Sequence, residues 1–392
     1  MENISPKHDQ ELMKQQNMKL VLSVIKNKGP VSRAEISRII KMSPTSVGRI
    51  TEELTEAGLI KETGSAVNRV GRRASLLEID SGSVLGLGVE VDKDYIGAGI
   101  INFRGEILCK LEKEEPLSDY SPEAVAGEIG KLAERLSANP VIDAKRIVGV
   151  GAAFPGIVDR EKGEMVISAQ LKWEKVFIRD ILQEKIKNLP VTVDNEMKAK
   201  ALAESLYGAP NPSGRTALMN IGSGVGSALV INNKVYRGAS NSAGEIGHIT
   251  IDPKGYLCEC GRFGCLQTYI AENALLEEAR KFKKIDDFSG LYHAYTDGEQ
   301  WARNIISRAA EYIGTAVGTL VCLYNPDTVI LSGSLLENYP AIAALVMETY
   351  NNYIWESLRN TFVLKLSKAG RSAGIVGAGA LAFAAGLDEY IL

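Results

Sequence analysis

Residues 244–265 read GEIGHITIDPKGYLCECGRFGC. His248, Cys258, Cys260 and Cys265 place four soft or borderline ligands within eighteen residues, enough to surround one tetrahedral Zn²⁺. Gly255, Gly261 and Gly264 let the chain turn tightly around such an ion. Cys258 and Cys260 are one residue apart, an awkward geometry for a mutual disulfide. Four protein ligands leave no coordination position for water, so the spacing predicts a structural site. Three core thiols and an unrelated histidine are the alternative reading. Five cysteines in 392 residues are too few for a disulfide scaffold. Three of them crowd into this stretch, which points to a reducing, cytoplasmic setting and a metal site.

Just upstream, Ala217–Tyr236 reads ALMNIGSGVGSALVINNKVY, a glycine-rich hairpin. About 130 residues earlier, Val84–Leu108 repeats the pattern as VLGLGVEVDKDYIGAGIINFRGEIL, with a turn at Asn102–Gly105. Further strand signals follow the first hairpin. Val148–Val158 is apolar around Pro155-Gly156, and Val191-Thr192-Val193 is a short buried strand. A long helix is predicted from about Glu196 to Tyr207. Two α/β lobes with a cleft between them resemble the architecture of sugar kinases and actin-like ATPases.

Composition sets the outer bounds. Net charge is −3, which excludes a uniformly basic coat, and no apolar run approaches the roughly 20 residues of a membrane span. The longest candidate, Ile375–Leu387, is too short and rich in Gly and Ala. The charge is uneven: ten Lys or Arg against five Asp or Glu between Lys26 and Arg73 leave about −8 on the rest of the chain. A basic helical surface would account for that excess as well as a DNA-binding module does. The local pattern within residues 1–80 favours the latter and predicts a winged helix-turn-helix. Leu20, Val21, Val24 and Ile25 recur at helical spacing before Gly29-Pro30. Ser32 and Glu35 form a capping box for a short helix through Ile40. After Lys41-Met42, Ser43 caps a third helix with Pro44 at its first position. Val47, Ile50 and Leu54 face inward on it. Ser43, Thr45, Ser46 and Arg49 are left for a major groove. Arg69, Arg72 and Arg73 flank Gly71 between two strand signals, as a wing reaching phosphate or the minor groove would.

The GEIGH motif followed by this cysteine cluster resembles the signature of the ROK family, and the likeness extends over essentially the whole chain, most of all to its xylose-repressor branch. The resemblance implies an actin-like, sugar-kinase-like α/β fold over residues 81–392, a winged helix-turn-helix over 1–80, a sugar in the cleft, and a homodimer or tetramer. It also implies ligand-binding roles for Asn195, Glu196, Glu245 and His248, with Gln267 and Gln170 standing where the family usually has Glu and Asn. His248 would use one ring nitrogen for zinc and the other for a sugar hydroxyl. The kinase members carry their base in an Asn-Asp pair; here it reads Asn195-Glu196.

The first hairpin departs furthest from the kinases. Where they resemble Asp-x-Gly-Gly-Thr, this chain has Glu90-Val91-Asp92-Lys93-Asp94. Both glycines and the threonine are gone, and two aspartates would repel a triphosphate. Gly222–Gly226 keeps a phosphate-compatible turn, which also suits a plain hairpin. The reading is a sugar-responsive repressor that binds double-stranded operator DNA, with xylose as first effector and catalysis lost. An active ATP-dependent sugar kinase with an appended DNA-binding domain is the alternative.

Overall fold

The computed structural model describes residues 6–66, 74–208, 214–232 and 234–386. The N-terminal unit runs α1 (Pro6–Lys28), β1 (Val31–Ser32), α2 (Arg33–Ile40), α3 (Pro44–Glu56), β2 (Ile60–Ala66) and β3 (Ala74–Ile79), with strand order β1-β3-β2. Ser32 Oγ accepts from Glu35 N–H at 3.3 Å. Lys41 adopts a left-handed conformation that ends α2, and Ser43 Oγ accepts from Ser46 N–H at 3.1 Å to open α3. Val21, Leu22 and Ile25 bury the inner face of α1; Leu20, read above as part of that stripe, is half exposed. The register of the helix places Leu22 on the core side instead.

The next segment forms β4 (Leu85–Asp92), β5 (Tyr95–Asn102), β6 (Ile107–Glu114), α4 (Pro122–Ser137), β7 (Ile147–Phe154), a small sheet of β8 (Ile157–Asp159), β9 (Glu164–Ser168) and β10 (Trp173–Val176), α5 (Ile178–Lys185) and β11 (Val191–Asn195). Helix α6 (Glu196–Tyr207) leads to β12 (Arg215–Ile221), β13 (Val225–Ile231) and β14 (Lys234–Tyr236). Beyond the cysteine loop come α7 (Gln267–Ile270), α8 (Glu272–Ala279), α9 (Phe288–Thr296), α10 (Gln300–Tyr324), β15 (Thr328–Ser332), α11 (Ser334–Glu337), α12 (Pro340–Thr349), β16 (Val363–Leu366) and α13 (Ala373–Gly386). The two five-stranded sheets share one plan. In the order β6-β5-β4-β7-β11 and β14-β13-β12-β15-β16, the first three strands are antiparallel and the last two join parallel. The repeated glycine-rich hairpins are therefore the same structural position in each lobe.

Helix α13 explains the apolar Gly/Ala run near the C-terminus. It lies so close over the first lobe's sheet that a Cβ at Gly88 would collide with the Ile375 carbonyl, and one at Gly151 with the Ala378 carbonyl. A Cβ at Gly377 would strike the Ala199 carbonyl of α6. Met197 and Ala201 on α6 pack with Leu218, Ala228, Val230 and Ile330 of the second lobe, while Ala199 packs with Ala378 and Leu381. Helix α6 is thus held by both lobes. The core of the N-terminal unit continues past residue 80, taking in Ile101, Phe103 and Phe383.

Two glycine substitutions test this packing. Gly88→Ala should destabilise the chain by about 1–3 kcal/mol through overpacking. Gly127→Ala, where a Cβ meets nothing within 4 Å inside α4, should stabilise it by about 0.5–1 kcal/mol. Urea unfolding of both variants checks the opposite signs.

Candidate functional site

The ligand atoms of His248, Cys258, Cys260 and Cys265 all lie within 4.8 Å of one another. Cys260 Sγ is 3.6 Å from Cys265 Sγ, and Cys258 Sγ is 3.8 Å from His248 Nδ1. A tetrahedron with Zn–S bonds of about 2.3 Å has S···S edges of roughly 3.8 Å, so the cluster has the dimensions of a four-coordinate metal site. Local backbone builds it. Gly261 turns with φ +82°, its N–H donating to the Cys258 carbonyl at 2.9 Å, and Cys258 N–H donates to the Arg262 carbonyl at 2.8 Å. At Gly264 any Cβ would collide with the Asp252 carbonyl. Gln267 Nε2 donates to Cys258 Sγ at 3.3 Å, the type of outer contact that steadies a metal-bound thiolate.

His248 joins this cluster to a cleft of about 150 Å³. All six residues singled out for a ligand in the sequence line it: Gln170, Asn195, Glu196, Glu245, His248 and Gln267. Gln170 comes from the first lobe, Asn195 and Glu196 from the start of α6, and the others from the second lobe. The GEIGH glycines set the height of the last wall. Gly244 (φ +101°) and Gly247 lie flat on β13, where Cβ atoms would meet the Ser227 and Val225 carbonyls. Ser227 N–H and Oγ both donate to the Gly244 carbonyl, at 2.8 and 2.9 Å. With His248 Nδ1 turned to the sulfurs, Nε2 is the ring nitrogen left for a ligand.

Asn195 is more occupied than the sequence reading expects. Its Oδ1 accepts from Lys198 N–H at 3.1 Å, capping α6, and its Nδ2 donates to the Gly156 carbonyl at 2.9 Å and to Glu196. Gln170 is the opposite case: its Oε1 is buried with no hydrogen-bond partner among the described residues. Such an orphan acceptor costs about 1–3 kcal/mol until a donor reaches it, and a hydroxyl-bearing ligand would supply one. Burial pushes the Glu196 carboxyl up to about 8, with Lys200 opposing and Asp92 and Glu245 reinforcing the shift.

Lys200, in the cleft, and a group of charged residues near it escaped sequence reading. Lys200 lies one helical turn beyond Glu196, a spacing that could have revealed it. Asp194 and Arg237 form a two-pronged ion pair beneath the cleft, with one contact at 2.8 Å, and Lys198 Nζ donates to the Asn241 carbonyl. These contacts tie β11 and α6 to the loop carrying Glu245. They join residues 43 apart in the chain, and no local pattern marks them.

Beside this cleft, and sharing Asp92, Lys200, Asn220 and Ser223 with it, lies a larger cavity of about 500 Å³. Asp92, Asp94, Glu114, Glu115 and Glu337 line it, against Lys200 and Arg371. In the N-terminal unit, Val47, Ile50 and Leu54 are buried, while Ser43, Thr45 and Arg49 are exposed. Ser46 is half-buried and its hydroxyl accepts from Ser43 Oγ at 2.8 Å. Arg69, Arg72 and Arg73 lie outside the described residues.

Residues 86–385 match the ROK family model, and residues 15–61 match a winged helix-turn-helix DNA-binding model. A xylose repressor of Caldicellulosiruptor bescii is 33% identical over 336 residues, spanning 82% of this chain and 83% of that one. An N-acetylglucosamine repressor of Escherichia coli is 25% identical over 97% of this chain and 96% of its own. The crystal structure of a ROK family transcriptional regulator, a homolog of the E. coli MLC protein, superposes with a TM-score of 0.79 at 24% identity, covering 95% of this chain and 96% of that one. The twin sheets, the GEIGH turn and the His-Cys cluster are thus those of a ROK protein, and the chain belongs to the ROK family, with a winged helix-turn-helix at its N-terminus.

Proposed function

We propose that this chain is a cytoplasmic, sugar-responsive transcriptional repressor of a carbohydrate-utilisation operon, with xylose as its first effector. The observation that carries the reading is the sugar-type cleft, with its orphan Gln170 acceptor, placed on the same α6 that reaches the DNA-binding unit. Asn195 and Glu196 stand at the N-terminus of α6. Tyr207, at its other end about 18 Å away, lies under Lys26 of α1, whose ammonium is 4.3 Å from the ring centroid. Sugar held by Gln170, Glu196, Glu245 and His248 touches both lobes and favours one spacing between them. In a homodimer or tetramer, α6 and α1 pass that change to the recognition helices, which must match half-sites one helical turn apart.

The xylose assignment rests on the similarity to xylose repressors. The repressor reading without catalysis is favoured over a kinase by the acidic wall of the larger cavity, since phosphoryl transfer relies on cations and N–H donors around the phosphates. Among the described residues no helix is long and apolar enough to cross a membrane. Zinc is the metal best suited to a His-Cys₃ set, and it would be held by His248, Cys258, Cys260 and Cys265 as a structural ion. Its charge would orient His248 and fix the loop carrying Gln267.

Elemental analysis of purified protein should give one zinc per chain, and Cys260→Ser should lose metal and blunt the sugar response while operator affinity without sugar stays close to wild type. An absence of stoichiometric metal would refute the site.

Arg49→Ala should cost about 1–3 kcal/mol of operator affinity. Arg72→Ala with Arg73→Ala should lower the salt slope by about 2, through lost counterion release. Mobility-shift titrations at several salt concentrations separate the two effects.

Glu196→Ala should weaken sugar about 5- to 150-fold by leaving a hydroxyl unpaired, at about 1–3 kcal/mol. Because burial pushes the Glu196 carboxyl up to about 8, against the opposing charge of Lys200, its protonated form would predominate at neutral pH and could donate to a sugar hydroxyl. Wild-type sugar affinity should therefore fall as pH rises through about 8, and Glu196→Gln should flatten that profile. Calorimetry across pH measures both; sugar phosphate formed from ATP by the wild type would overturn the repressor-only reading.

A further inference from the structure

Cys260 stands apart from the other cysteines of the His-Cys cluster. It is exposed, whereas Cys258 and Cys265 are 2% and 0% exposed. A small solute therefore reaches its sulfur directly. Cys265 Sγ lies behind it at 3.6 Å. An accessible thiol backed by a second thiol is the arrangement that redox-sensing cysteines share.

The backbone favours this pair over any other in the cluster. Cys258 and Cys260 are one residue apart, too close for ordinary disulfide geometry. Cys258 Sγ also accepts from Gln267 Nε2 and faces His248 Nδ1. Between Cys260 and Cys265 stand Gly261 and Gly264, both with left-handed φ. The Cys265 end is fixed: Gly264 is pressed on the Asp252 carbonyl, and Leu266 N–H donates to the Ile249 carbonyl at 2.9 Å. At Gly261 a Cβ would meet nothing within 4 Å, so the Cys260 end has room to close on Cys265.

We propose that Cys260 is an oxidation site of this chain, with Cys265 as its resolving partner, through which a peroxide disables the sugar response. The Cys260 thiolate attacks one oxygen of hydrogen peroxide, breaking the O–O bond and leaving a sulfenic acid and hydroxide. The Cys265 sulfur then attacks the sulfenic sulfur, forming the S–S bond and expelling a second hydroxide. The sulfur pair gives up two electrons, and two protons from solvent turn both hydroxides into water. Resting on the reading of the cluster as a metal site, the assignment links that site to the cleft. Oxidation consumes two of the four ligands, and His248 with Cys258 alone would hold Zn²⁺ poorly. His248 and Gln267 line the sugar cleft and both meet Cys258 in the cluster, so both lose an anchor when it opens.

Hydrogen peroxide added to the full-length, zinc-loaded chain tests this. The Cys322→Ser variant, which removes the exposed thiol on α10, is treated alongside it. A chromogenic chelator should register one zinc released per chain in both. Peptide mapping should find a Cys260–Cys265 disulfide, lighter than the dithiol by two hydrogens. Calorimetry should show sugar bound about fivefold or more weakly, the worth of one lost hydrogen bond, with operator affinity in the absence of sugar unchanged. Dithiothreitol and zinc should restore the starting affinity. Zinc retained under peroxide overturns the assignment. So does a zinc release that disappears in Cys322→Ser, a map that places the oxidation on Cys258, or a sugar affinity that stays the same once the disulfide has formed. A chain purified without stoichiometric zinc would instead defeat the metal reading, and the peptide map of that oxidised chain would still decide whether Cys260 and Cys265 pair.

Discussion

The close crossing of α6 and α13 is the constraint on which the rest of the molecule depends. Gly377 lets α13 press on the Ala199 carbonyl, and Gly88 and Gly151 let the same helix settle on the first lobe's sheet. Neither helix can slide without opening that contact, because interiors at crystal-like density repack between discrete arrangements. Both helices start at the clefts. Helix α6 begins with Asn195 and Glu196, and α13 begins beside Glu90. Both also end at the DNA-binding unit, α6 with Tyr207 under Lys26 and α13 with Phe383 in the core shared with α1 and α3. Phe383 meets Phe103 edge-on, with ring centroids 5.1 Å apart.

Buried charge under the cleft is arranged to hold one geometry. The Asp194–Arg237 pair and the bond from Lys198 to Asn241 are both largely shielded from water. A buried pair of this kind adds little net stability, but removal of one partner leaves the other uncompensated. Their contribution is to fix the loop of Glu245 against β11 and α6. Glu196 and Gln170 differ in kind: burial drives the Glu196 carboxyl up to about 8 and leaves the Gln170 amide oxygen without a donor, and on the proposed reading a ligand in the cleft would relieve both.

Much of this was readable from local sequence, and the reasons are specific. The caps at Ser32 and Ser43 and the helix from Glu196 to Tyr207 depend on neighbours in the chain, so short-range rules find them. The metal cluster is legible because its ligands fall within one loop. The six cleft residues come together only through the resemblance to a known family; their spacing alone carries no such information. What stayed hidden is long-range. Arg237 and Asp194 pair across 43 positions, and Glu90 reaches Lys200 through a sheet and a helix from different parts of the chain. Leu20 and Leu22 show a finer limit: Val21, Val24 and Ile25 of the stripe do pack in the core, but its edge falls at Leu22 and not at Leu20.

The energetics of switching follow from where the ligand sits. To move a two-state equilibrium from 1:99 to 99:1, sugar must prefer one lobe arrangement by about 5.5 kcal/mol. A ligand held by one lobe alone binds both arrangements equally and shifts nothing. Here Gln170 belongs to the first lobe, Glu245 and His248 to the second, and Glu196 to the helix between them. Completing about three hydrogen bonds at once, at about 1–3 kcal/mol for each group that would otherwise be left unpaired, would reach the required preference only if all three sides close together. On the proposed reading, a metal held by the His-Cys cluster would act in the switch as well as in the loop. It would remove the freedom of His248, so that the ligand need not supply the ordering cost of the second lobe's wall.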